Sequence, residues 1–205
     1  MRKTLAAATL VAMGYCGAPV LAANIVANGD FASEPSGGPP VSPPNSWHAS
    51  GNAGADQTLP AAGDAWDGFF GDPSGTLYQS LTTTPGVTYM LSFNAAGDGA
   101  ALADSNSGFF VCLDPTATSC NATSDLFGEN IVSDLTTPRQ YQQFTDTITA
   151  TGSSMYLSFT GVNGAGGDFY LDDVSLTPVP APEPSDLLVL ATALGLLTLA
   201  RTRRA

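Results

Sequence analysis

Thr88-Tyr89-Met90-Leu91-Ser92-Phe93-Asn94 decides the fold by its alternation. In an extended chain Tyr89, Leu91 and Phe93 share one face, and Met90, Ser92 and Asn94 share the other. A second stretch, Met155-Tyr156-Leu157-Ser158-Phe159, echoes Tyr89-Met90-Leu91-Ser92-Phe93 with its first two residues exchanged. Both read as half-buried strands. The echo is too short for a repeat; similar core strands account for it.

Working outward, the same signals predict strands over 24–27, 66–70, 76–83, 108–113, 140–150 and 169–176. Gly71-Asp72-Pro73-Ser74-Gly75 reads as a β-turn between two of them. Residues 32–45 and 50–65 are rich in Gly, Pro, Ser, Ala and Asn and read as loops. Helical periodicity is absent between the two terminal segments. About eight short strands separated by turn residues predict an all-β chain, an antiparallel β-sandwich or jelly roll.

The ends have a different character. Arg2 and Lys3 precede a mostly apolar stretch that ends in small residues at Val20-Leu21-Ala22, which reads as a signal peptide over 1–22. Tyr15 stands where a small residue would precede a lipid-bearing Cys16, so a plain signal peptide is expected. At the other end, 187–200 is uncharged, with Thr192 and Thr198 as its polar points, and Arg201, Arg203 and Arg204 follow. As a helix this run covers about 21 Å, short of the ~30 Å hydrocarbon core. The arginines predict a cytoplasmic end with the rest of the chain outside. The expected division is 1–22 signal peptide, 23–178 β-sandwich, 179–186 Pro-rich linker and 187–205 hydrophobic helix with a basic end.

Between the ends the chain is acidic. Residues 23–180 hold sixteen of the eighteen Asp and Glu but only Arg139 of the six Lys and Arg, a formal charge of −15. That excludes binding to nucleic acid or an anionic membrane surface by charge. Most of the carboxylates read as a solvated surface; two or three are expected to hold Ca2+, which takes oxygen ligands. Cys112 and Cys120 are expected to form a disulfide in an oxidising exported compartment. With His48 as the lone histidine, a zinc site lacks ligands.

Catalytic patterns are poor. Ser74 is in the fourth place of its Gly-flanked turn, not the third as in a nucleophile elbow. His48 has no evident Ser or Cys partner. Asp172 and Asp173 are consecutive, so in a regular strand they point to opposite faces. The Thr-rich 145–151 stretch shows no Thr-x-Thr ladder repeated across strands. A non-catalytic protein is expected, with a glycoside hydrolase as the lesser alternative.

Pro182-Glu183-Pro184, the apolar run and the Arg cluster together resemble the PEP-CTERM sorting signal of Gram-negative bacteria. The resemblance implies an inner-membrane-anchored precursor, a transient exosortase partner and delivery to the cell surface or exopolysaccharide matrix. The body is also recognisable. Asn28-Gly29-Asp30-Phe31, Ser46-Trp47, the segments 75–81 and 85–93, and Phe169-Tyr170-Leu171-Asp172-Asp173-Val174-Ser175-Leu176 stand in an order similar to galactose-binding-like jelly rolls, which include many carbohydrate-binding modules. That resemblance implies a structural Ca2+ tying the first strand to the last, on Asp30, Asp172 and Asp173. Ala32 stands where relatives often carry Glu, with Glu34 two residues on.

Binding a polysaccharide requires rings for sugar faces and polar side chains for hydroxyls. Trp47, Trp66, Tyr78, Tyr170, Asn94 and Gln79 are candidates. The tryptophans read as core, which leaves Tyr78 and Tyr170 as the expected ligand contacts. A structural matrix protein without a sugar ligand is the alternative.

Overall fold

The computed structural model describes residues 22–34, 42–59, 66–121, 131–164 and 166–180. The expected signal peptide apart from Ala22, the Pro182-Glu183-Pro184 motif and the 187–205 segment lie outside them. Among the described residues no helix is long and apolar enough to cross a membrane.

Among the described residues there are seven strands, β1 (His48–Asp56), β2 (Asp67–Thr82), β3 (Thr88–Gly97), β4 (Gly108–Asp114), β5 (Gln142–Thr149), β6 (Ser154–Val162) and β7 (Phe169–Pro178). The described residues also include a short helix α1 (Gly99–Ala103) and a 3-10 turn (Ile131–Ser133). The hydrogen-bonded order is β4-β6-β2-β7-β3-β5, with β1 added on β2. Every pairing is antiparallel.

Strand β2 joins two half-sheets. Its residues 74–82 pair with β6, and its residues 68–70 pair with β7. Rings from both halves meet in the core. Phe93 of β3 lies edge-on to Phe159 of β6 at 5.2 Å between centroids, and Phe109 of β4 reaches Phe169 of β7 at 5.4 Å. The result is the expected antiparallel β-sandwich.

The two echoing stretches are β3 and β6. Their first residues, Tyr89 and Met155, are both buried. Their second residues differ in consequence: Met90 is 47% exposed, while Tyr156 lies half-buried on the outer face. Exchanging Tyr and Met between the two strands therefore puts a tyrosine ring on the surface of β6.

Four expectations are corrected. The stretch 50–65, read as loop, begins as β1, an edge strand of Gly and Ala that packs Ala53 and Ala55 into the core. Small residues give no alternation to read, yet they fit against β2. The segment 71–75 is no turn. Strand β2 runs through it, and residues 71–74 bulge opposite Asn52 alone. Asn52 Nδ2 donates to Asp72 O at 3.1 Å, Asn163 N to Pro73 O at 2.9 Å and Asn163 Nδ2 to Phe70 O at 3.0 Å. These side-chain and backbone donors satisfy carbonyls in and beside the bulge, so the chain does not reverse. The segment 24–27 runs beside β7 without a ladder; Ile25 N donates to Leu176 O, and Asn24 Oδ1 accepts from Leu176 N. Finally, Asp98 caps α1 by accepting from the Ala100 and Ala101 amides, a helix too short to show a period.

The expected Cys112–Cys120 disulfide is present, with Cα atoms 5.7 Å apart. Cys112 is in β4 opposite Ser158 of β6, and Cys120 N donates to Thr160 Oγ1.

Candidate functional site

Asp30 and Asp173 line one open surface cavity of about 330 Å³ with Asn24, Asn28, Gly29 and Val174. Asp30 Oδ1 accepts from the Ala32 amide at 3.2 Å. Strand β7 carries one more residue than β3 between the Ser92–Ser175 and Asn94–Asp172 pairs, and Asp173 there has φ +53°. This bulge breaks the simple alternation and lets Asp173 Oδ2 accept from Asn94 Nδ2 at 2.7 Å. Asp172 is fully buried, and its charge acts on Asp67 and Tyr141. The three expected Ca2+ ligands are thus divided, two at the cavity and one at a different cluster. Glu34 is buried and accepts from Asn28 Nδ2 and the Asn45 amide. Among the described residues no three Asp, Glu, His or Cys side chains converge as a metal cage.

The expected sugar contacts also separate. Trp47 and Trp66 are core, as read from the sequence; Trp47 stacks on Phe31 at 5.7 Å and donates Nε1–H to Asn28 O at 3.0 Å. Gln79 is buried, with its amide engaged by backbone groups of Ala27 and Ser46. Tyr170 is only 2% exposed, and the Arg139 guanidinium stands 6.0 Å from its ring centre. Burial, then the Asp168 carboxylate, push its phenol upward. It offers no ring face to a ligand in this conformation.

Tyr78 is different. It lies half-buried on the outer face of β2. His48, its register partner on β1, stacks on it at 4.9 Å and 18°, and Tyr156 of β6 meets it edge-on at 6.0 Å and 75°. Three rings from three strands therefore form one aromatic patch. His48 and Tyr156 escape sequence reasoning because only strand pairing brings them beside Tyr78.

Polar groups border the patch. Ser80 and Ser154 hydroxyls are 3.4 Å apart on the exposed β2–β6 surface. Asp114 of β4 pairs in register with Tyr156. Its Oδ1 accepts from the Ala117 amide at 2.6 Å and from the Thr116 amide and hydroxyl. Those bonds, the Ala117 amide first, hold its carboxyl below the usual range and keep it an acceptor. The disulfide-closed loop fixes Cys120 against Thr160, whose hydroxyl is 3.0 Å from that of Thr76. The three rings therefore share one outer face with the Ser80 and Ser154 hydroxyls and the Asp114 carboxylate.

No family model and no curated protein matches the chain. Solved structures do. The chain resembles the enzymatically active domain of tailspike protein 4 of bacteriophage CBA120, at 12% identity and a TM-score of 0.50. That alignment covers 76% of this chain and 21% of the tailspike chain, so this protein spans about a fifth of its length. Carbohydrate-binding modules are also among the structural neighbours. The CBM22-1 xylan-binding domain from Paenibacillus barcinonensis Xyn10C aligns at 13% identity and a TM-score of 0.48, over 80% of this chain and 100% of that one. TmCBM61, in complex with β-1,4-galactotriose, aligns at 15% identity and 0.43, over 77% and 99%. At these identities the likeness is one of fold.

Proposed function

We propose that the β-sandwich is a non-catalytic glycan-binding domain whose contact surface is the outer face of β1, β2 and β6. The patch of His48, Tyr78 and Tyr156 carries this reading. Sugar C–H faces would stack on the rings, while Ser80, Ser154 and ionised Asp114 take the hydroxyls. Affinity electrophoresis of the full chain against a polysaccharide panel, including the producer's own polymer, tests it. Retardation lost on Tyr78→Ala supports the reading; no retardation by any polymer sinks it.

The address is part of the proposal and rests on sequence. The basic start, Pro182-Glu183-Pro184, the apolar run and the closing arginines support an exported protein of a Gram-negative bacterium, anchored first in the inner membrane. An exosortase would then release it to the surface or exopolysaccharide matrix. The intact mass of the released protein checks this, and retention of residues 187–205 contradicts it.

A structural matrix role draws on a different surface. Thr145, Thr147 and Thr149 of β5 are exposed beside Met90 of β3, and Thr88 and Thr149 hydroxyls are 3.1 Å apart. These side chains carry no charge in an acidic domain. Concentration-dependent sedimentation without sugar binding would favour this second reading.

A further inference from the structure

Two adjacent rows of side chains cross the outer face between β1 and β4. His48, Tyr78, Ser158 and Cys112 are partners from strand to strand in one row, and Ser80, Tyr156 and Asp114 in the next. Cys112 and Asp114 stand two residues apart on β4, so they share this face. Cys112 and Ser158 are buried on it. Cys120 closes over them, through its bridge to Cys112 and through its amide, which donates to Thr160 Oγ1. The disulfide-closed loop therefore bounds the rings on the β4 side, and Asp114 is the residue that leads into it.

Asp114 is held in place without being neutralised. Its Oδ1 accepts from the Thr116 and Ala117 amides and from the Thr116 hydroxyl, and its Oδ2 accepts none of these. Those donors orient a carboxylate but bring no positive charge to it. Arg139, the lone Lys or Arg of residues 23–180, is committed elsewhere. Its amide donates to Gly97 O at the end of β3, and its guanidinium stands 6.0 Å from the Tyr170 ring centre and acts on Asp168. A ligand on the rings thus meets a fixed carboxylate beside Tyr156 and neither a lysine nor an arginine, in a domain of formal charge −15.

Sugars divide under that field. A neutral hexose brings hydroxyls, which can donate to the Asp114 carboxylate. A uronic acid carries a carboxylate where the neutral sugar carries a hydroxymethyl group. It needs a cationic partner when it leaves water, and here it meets a like charge.

We infer that this surface takes an uncharged polysaccharide and rejects polyuronates, with Asp114 enforcing the choice beside Tyr156. The inference rests on the glycan-binding reading of the ring patch and names the class of glycan. Because Asp114 is partly exposed, the discrimination weakens as salt screens it.

The test uses soluble polymers that differ in that one group: galactan against polygalacturonate, glucan against polyglucuronate, and mannan against polymannuronate. The full chain is titrated by calorimetry at pH 8, where imidazole is uncharged, and in chelator, so that no divalent cation bridges two carboxylates. At about 0.01 M salt, where the Debye length is about 30 Å, at least one neutral polymer should bind about tenfold or more tighter than its uronate. At about 1 M salt, where that length is about 3 Å, the gap should close. Asp114→Asn keeps a side-chain acceptor for the loop amides and removes the charge, so it should narrow the low-salt gap about threefold. Asp146→Asn removes one charge from β5 on the other half-sheet and should narrow it less. Should Asp114→Asn not fold, the comparison of neutral polymer with uronate on the parent decides alone. A polyuronate bound as tightly as its neutral partner overturns the inference and leaves the glycan-binding reading standing. Equal narrowing in the two variants overturns the role of Asp114. Binding of no polymer in any pair overturns the inference together with the reading beneath it.

Discussion

The side chain of Gln79 pairs with the backbone of Ala27 as a neighbouring strand would. Its Oε1 accepts from Ala27 N and its Nε2 donates to Ala27 O, both at 2.9 Å. The same Nε2 donates to Ser46 O at 2.9 Å. One buried amide thus ties the N-terminal segment and the approach to β1 onto β2. Gln79→Ala should destabilise the domain by about 2–3 kcal/mol, because backbone groups lose their partner inside the fold. Urea unfolding measures the loss, and amide exchange should quicken first over residues 24–31.

The buried Asp67 predicts a pH slope. Its carboxyl is pushed up to about 9 from an ordinary value of 3.8. Between those values the folded chain holds a proton that the unfolded chain has released. Its contribution to stability is therefore complete below the lower value and lost as pH rises toward the upper one. Asp67→Asn removes that slope, since an amide is uncharged throughout. The stability of the variant relative to the parent should rise from about pH 5 to about pH 8. A parallel pair of curves would contradict the assignment.

On the aromatic patch, Tyr78→Ala and Tyr156→Ala should each weaken polysaccharide binding about tenfold, equivalent to ~1.4 kcal/mol. Met90→Ala, on the other half-sheet, should leave binding unchanged. Equal losses in all three would move the contact surface elsewhere.

The disulfide closes a loop with a sequence separation of 8. Replacing both Cys112 and Cys120 by Ser should cost about 2–3 kcal/mol by the loop-entropy relation. Thermal unfolding of the oxidised parent and the double variant compares them directly.

Much of the fold was legible because period-2 alternation marks a half-buried strand locally. The strands β3, β5, β6 and β7 follow their predicted ranges to within a few residues. The Cys112–Cys120 bridge was legible from compartment and count. Strand β1 was not, because Gly51, Ala53, Gly54 and Ala55 carry no contrast between faces. The bulge at 71–74 was not, because Asp-Pro beside glycine reads locally as a turn. Its persistence as strand depends on Asn52 and Asn163, which come from other parts of the chain.

The sequence by itself determined an acidic, disulfide-closed, all-β domain between two terminal segments. It also determined which residues of most strands face inward, since alternation is a property of the chain alone. Only the tertiary structure decided which outward residues become neighbours. His48, Tyr78 and Tyr156 form one surface, Asp30 and Asp173 share a cavity, and Asp67 is buried beside Asp56 and Asp172. The physical reason is that period fixes the face of a side chain, while register between distant strands fixes what lies beside it.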